Sequence, residues 1–379
     1  MLVPMYFTDF RLPLEGIIIR LADVMSLLIL VLFIICKRHG VAELYLPRGY
    51  SYLALFLIYC FINALWHSGG RNAVVETLQW LIILSTLAVV YSHSVMYPEK
   101  FKDIFFKTLL TICLFVVIYH FAHGQFTRYK ALGDAKYILA LTGVLILTYS
   151  YYFKDKRYIP ALMILYPFIL LSLERKGILA FHVVLFLYLC VSIKYLFRSA
   201  VLAVCITLLL FLLINPLFFD FSSFTFFEYT EYEMLSLDEE QALWVSNLHR
   251  QSLIENGWDI FKQNPIFGVG ARMLIFSMLD YYYNPGLALY THNVFLDTLI
   301  EQGIIGSSLL LLPYLIYFRS GDFKSGRQAV CFLILCIYSI IMLLFMSGGA
   351  PSMILMFLPL LTSQMFKRET QQPPTKVGR

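Results

Sequence analysis

Runs of about 17–22 apolar residues recur along most of this chain, and they leave few folds open to it. A helix of that length covers the hydrocarbon core of a bilayer, where every backbone N–H and C=O must be paired within the segment. Eleven such runs are read, at about 16–36, 50–66, 74–96, 108–123, 135–153, 158–174, 177–196, 200–218, 294–318, 328–346 and 352–366. The chain is 60% hydrophobic and 14% charged, against about a quarter charged in a soluble domain. The expectation is an all-α, polytopic membrane helix bundle of about eleven spans. The composition carries no nucleic-acid-binding signature. The first apolar run continues into Lys37-Arg38 without a small-residue cleavage site, so no cleavable signal peptide is read there.

Basic residues set the expected topology. One alternating set of loops, with the tail, holds 18 of the 29 Lys and Arg residues, and such an excess marks the cytoplasmic side. That set includes Lys37, Arg38, Lys154, Lys156, Arg157, Arg319 and Lys367. The 219–291 loop then lies outside, and a tail at 367–379 is expected to be disordered. The seven cysteines all fall in apolar runs, which makes a disulfide framework unexpected. No repeat of 20–50 residues and no inverted symmetry is found, which counts against a transporter or flippase.

The loop at 219–291 is too long for a connector and too apolar for a linker. Ser236-Leu237-Asp238-Glu239 reads as a capping box. The helix it opens runs to about Gln263, with Leu248, Ile254, Trp258 and Phe261 as its apolar positions. Asn264-Pro265 ends it and Gly268-Val269-Gly270 turns the chain. Arg272 to Tyr283 reads as a short amphipathic helix lying on the membrane or capping the bundle.

Polar groups collect where this loop re-enters the membrane. His292 and Asn293 precede an apolar run that also holds Asp297 and Glu301, so Asn293, Asp297 and Glu301 share one helical face. Ionisable groups at that depth are costly unless they face a polar cavity or one another. They either orient a reactive histidine and line a groove or form a polar seam with another helix, and the residues alone leave both open. Positive charge on the outer side is sparse: Arg128, Arg175, Lys176, Arg250 and Arg272 are among the few. Anion binding is one reason to keep them, and snorkelling or a solvated helix face is another.

Three motifs in order resemble the O-antigen ligase and O-antigen polymerase superfamily of bacterial inner-membrane glycosyltransferases. The first is the hairpin Ser172-Leu173-Glu174-Arg175-Lys176-Gly177. The second is Arg250 ahead of Phe261, Asn264-Pro265 and Gly268-Val269-Gly270. The third is His292-Asn293 followed by Glu301-Gln302-Gly303. The hairpin departs from the family's Ser/Thr-Arg pair in carrying Glu174 and Lys176 on either side of Arg175. What the resemblance implies is transfer of a glycan from an undecaprenyl-diphosphate carrier to a hydroxyl acceptor at the periplasmic face; no Asp-x-Asp motif stands in the outer loops, so catalysis without a metal or other cofactor is expected. In that expectation His292 is the general base, and Arg250 and Arg175 hold the diphosphate. Lys176, Arg128, Arg272, Asn293 and Glu301 line the substrate site. Partners would be the lipid-linked oligosaccharide, membrane lipids, and a chain-length regulator or a lipid A-core acceptor. A polymerase is preferred over a ligase because that role is spread over many divergent polysaccharide loci. A transporter or flippase of lipid-linked sugars is the remote alternative.

Overall fold

The computed structural model describes residues 11–14, 17–40, 42–46, 50–67, 70–122, 124, 137–172, 174–192, 239–319, 326–346, 355–356 and 358–360. These are almost entirely helical. One short antiparallel hairpin, β1 (Arg11–Leu14) and β2 (Ile17–Arg20), precedes the first helix with Arg11 opposite Arg20. The all-α architecture stands, and the hairpin moves only one boundary: Ile17–Arg20 spend their backbone groups on strand pairing, so the first helix starts at Leu21 rather than near residue 16.

The helices are α1 (Leu21–Arg38), α2 (Tyr50–Trp66), α3 (Gly70–Met96), α4 (Pro98–Ala122), α5 (Tyr137–Phe153), α6 (Ile159–Leu171) and α7 (Arg175–Ser192). After the large loop's α8 (Glu239–Gln263) and α9 (Leu274–Met278) come α10 (Val294–Arg319) and α11 (Gly326–Leu344). Four helical stretches are long and apolar enough to cross a membrane: Ala73–Met96, Lys100–Ala122, Val294–Arg319 and Gly326–Leu344. Four shorter apolar helices accompany them, at Tyr50–Trp66, Tyr137–Phe153, Ile159–Leu171 and Lys176–Ser192. The chain is therefore a multi-pass membrane bundle, although the described residues do not establish eleven spans. The expected span at 200–218, most of that at 352–366 and the 367–379 tail lie outside the described residues.

The core is built around α5. Its sequence is apolar on all sides, as suits a helix enclosed by others, and nearly every residue from Tyr137 to Tyr152 is buried. Gly143 allows the Phe181 ring of α7 to close on the helix, since a Cβ there would sit 2.7 Å from that ring. Some hydroxyls inside the bundle are satisfied by their own helix, as where Thr148 donates to the Val144 carbonyl at 2.7 Å.

The alternation of charged loops becomes two physical ends. At one end, Lys102 of α4 lies 4.5 Å from the centre of the Phe153 ring that ends α5, and Arg157 pairs with Asp155 at 2.6 Å. At the other end, Lys176 at the start of α7 lies 4.7 Å over the Tyr137 ring that opens α5. Its Nζ also donates to the Phe345 carbonyl just beyond α11, at 3.1 Å. The large loop docks on this second end.

Candidate active site at the loop end of the bundle

The site is built on a joint between the loop and α10. Within α10, Gly303 adopts φ 64°, ψ −172°, a conformation closed to L-residues with a side chain, and the helix breaks there. A break leaves amides and carbonyls without helical partners. The turn after α8 supplies them. Val269 and Gly270 donate to the Ile300 and Glu301 carbonyls at 2.9 Å each, while Ile304 and Ile305 donate to the Pro265 and Ile266 carbonyls at 2.9 and 3.3 Å. Contact is close enough that a Cβ on Gly303 would lie 2.2 Å from the Ile266 oxygen, and one on Gly268 would lie 2.5 Å from the Glu301 oxygen. The Gly-x-Gly and Glu-x-Gly motifs are thus two halves of one backbone joint.

Helix α2 clamps that joint from the side. Tyr59 donates to the Gln302 and Phe267 carbonyls at 2.8 and 3.1 Å. Asn63 donates from Nδ2 toward the Phe267 carbonyl (3.0 Å), the Glu301 carbonyl (3.2 Å) and Gln302 Oε1 (3.1 Å). His67 packs beneath Gly270, where an added Cβ would be 2.6 Å from its own.

About two turns earlier, α10 begins at a rigid corner. Asn293 caps it: Oδ1 accepts from the Phe295 and Leu296 amides at 3.1 and 3.2 Å. The buried Asp297 carboxylate reaches back to accept from the Thr291 amide at 2.9 Å and the Thr291 hydroxyl at 2.7 Å. His292 sits between those anchors with φ 58°, a left-handed conformation that the flanking hydrogen bonds impose. Asn293, Asp297 and Glu301, read as one face, therefore have separate work. The first caps and the second fixes the turn, while the third lends its main-chain oxygen to the joint.

Helix α8 packs against this corner through Gly257, where a Cβ would meet Thr291 at 2.7 Å and Ile300 at 2.9 Å. Leu253 and Ile260 on the same side are buried against Leu274, Met278, Leu296 and Ile300. The expected apolar face is corrected: Ile254 and Trp258 are exposed, and the buried face runs through Leu253, Gly257 and Ile260. Arg250 lies seven residues before Gly257, on the face that meets α10. The helix expected from Arg272 to Tyr283 is also corrected. It is a single α-turn, Leu274–Met278, extended by a 3₁₀ turn at Leu279–Tyr281. Arg272 is held outside it with φ 63°.

Charge converges on His292 from two elements. Its imidazole is pushed down from the usual value to about 4, first by burial, then by the positive charges of Arg250, Lys176 and His249. His249, one residue before Arg250, is lowered too, by burial and by Arg250. Its ring meets Tyr282 edge-on at 5.6 Å, and Tyr282 shares a 2.9 Å hydrogen bond with Ser252. Lys176, 3.6 Å from Glu174, is largely buried, whereas Arg250 is exposed. Arg272 donates to the Tyr290 hydroxyl at 3.4 Å. Arg128 and the Arg175 side chain lie outside the described residues. Sequence reasoning missed Tyr59, Asn63, His67 and His249. Asn63, an amide in the last turn of an apolar helix, carried the one available signal.

A search of curated proteins finds no match to the chain. Residues 160–311, which span the hairpin, α8, the joint and His292, match the family described as O-antigen ligase, and this match supports the resemblance to the O-antigen ligase and polymerase superfamily.

Proposed function

We propose that the chain transfers a glycan from a polyprenyl-diphosphate carrier to a hydroxyl acceptor at the periplasmic face of a bacterial inner membrane. The observation that carries this is the placement of one imidazole, on a turn fixed by Asp297 and Asn293, in the field of Arg250 and Lys176. The acceptor oxygen attacks the anomeric carbon and loses its proton to His292. The bond to the carrier breaks, and its electron pair leaves on the diphosphate oxygen. Fixed cations aimed at that growing charge lower the barrier more than any other lever at such a site. Arg250 suits it because its planar fork holds two phosphate oxygens at once. Arg175 is assigned beside it on the resemblance, with Lys176, Arg128, Arg272, Asn293 and Glu301 lining the substrate site.

The depressed imidazole fits a substrate-dependent base. At about 4, His292 is neutral at pH 7 and ready to accept a proton, yet weak. A bound diphosphate offsets the two cations and raises its basicity as the donor arrives. Base strength is then coupled to occupancy of the donor site.

Polymerisation is the proposed outcome, with the growing chain passed to the next lipid-linked repeat. The second reading, ligation to lipid A-core, is equally consistent with a family described as O-antigen ligase. The glycan ladder of a deletion strain decides between them. Loss of a polymerase leaves single repeats on the lipopolysaccharide, whereas loss of a ligase leaves none and accumulates lipid-linked glycan. A deletion strain with an unaltered ladder contradicts both.

A further inference from the structure

We infer that the turn Pro265–Gly270, although part of the large extramembrane loop, is re-entrant: it lies within the hydrocarbon of the leaflet, with Ile266 and Phe267 against lipid acyl chains. Two helices serve as independent rulers. Along α10, the distance from exposed Arg319 up to Ile304, which donates to the Pro265 carbonyl, is about 22 Å at 1.5 Å per residue. Along α2, the distance from Tyr50 to Asn63, which donates to the Phe267 carbonyl, is about 20 Å. Both start from the basic end, and a bilayer core is about 30 Å thick. The docked turn therefore stops about 8–10 Å short of the opposite interface, and helix tilt only takes it deeper.

The side chains agree with that depth. Leu55, Ile62 and Trp66 form an exposed apolar row on α2, and Ile304, Leu311 and Leu315 form another on α10. Ile266 and Phe267, whose carbonyls accept from the Ile305 amide of α10 and from Asn63 of α2, are 54% and 57% exposed. The carbonyls of Pro265, Ile266 and Phe267 and the amides of Gly268, Val269 and Gly270 meet the condition that lipid imposes on non-helical chain. Within a bilayer such chain survives only when protein supplies its hydrogen bonds. Here the Gly303 break, Tyr59 and Asn63 supply them to Val269, Gly270, Pro265, Ile266 and Phe267.

The inference holds whatever the site transfers, and its test does not use activity. Wild-type protein in bilayers is irradiated with phospholipids carrying a diazirine on the acyl chain, and labelled residues are read by mass spectrometry. Labelling at Ile266 and Phe267 is expected within about threefold of that at Leu311 and Leu315, and at least about tenfold above that at fully exposed Tyr283. Labelling at 266–267 no higher than at Tyr283, with Leu311 and Leu315 labelled, overturns it.

Discussion

Replacing Gly303 by alanine should undock the turn after α8 without unfolding the bundle. At φ 64°, ψ −172° an alanine is strained by about 1–3 kcal/mol, and its Cβ would stand 2.2 Å from the Ile266 oxygen. That oxygen is backbone and cannot rotate away. Release of the turn gives up the hydrogen bonds of Val269, Gly270, Ile304 and Ile305, at about 0.5–1.5 kcal/mol each. Undocking therefore costs about 2–6 kcal/mol and caps the penalty, because holding the clash costs more. At about 3 kcal/mol the opening equilibrium shifts by about two orders of magnitude. Amide hydrogen exchange reads this directly: the Val269 and Gly270 amides should exchange about a hundredfold faster in Gly303→Ala, while α5 stays protected. Gly326→Ala is the control, since a Cβ there meets nothing within 4 Å. Unchanged protection at 269–270 in Gly303→Ala would refute the joint.

Three further outcomes follow from the site. Asp297→Asn keeps the shape but removes the charge that holds Thr291, weakening each of those hydrogen bonds toward a neutral one; transfer should drop at least tenfold with little change in thermal stability. In the wild type, kcat/KM should stay level as pH falls from 8 to about 5, because free His292 takes up its proton only near 4. Lys176→Met removes a repelling charge, so the acid limb should move to higher pH; a wild-type limb at an ordinary histidine value, unmoved by Lys176→Met, contradicts the electrostatics. Arg250→Lys should lower transfer by one to two orders of magnitude, since a point charge cannot reproduce a bidentate fork; full activity with purified donor removes that assignment.

Much of the bundle was legible because lipid enforces a length. The run at 50–66 returns as Tyr50–Trp66, and the helix ending at Gln263 returns with its end in place. What failed was the choice of face. Ile254 and Trp258 looked like core on α8 because apolar periodicity equates apolar with buried, an equation that lapses wherever the outward side of a protein is itself apolar. Gly257, which marks the true contact, has no side chain to register. Gly303 was read as one end of a motif inside a continuous helix, since a lone glycine in an apolar run is commonly tolerated. Its role appears only when a turn over thirty residues earlier fills the gap. His292 and Asn293 were found because a cap and an imidazole at a membrane re-entry are local signals, whereas Tyr59 and Asn63 act on partners more than two hundred residues away.

The central claim is that His292 removes the acceptor proton during transfer from a lipid diphosphate. It is tested most directly by single-turnover transfer with purified lipid-linked donor and acceptor in bilayers, comparing wild type with His292→Ala. The account predicts that His292→Ala binds donor with near-normal affinity, keeps the wild-type exchange protection at 269–270, and loses transfer by about 10²–10⁴-fold. A well-folded His292→Ala protein that transfers at the wild-type rate would contradict it.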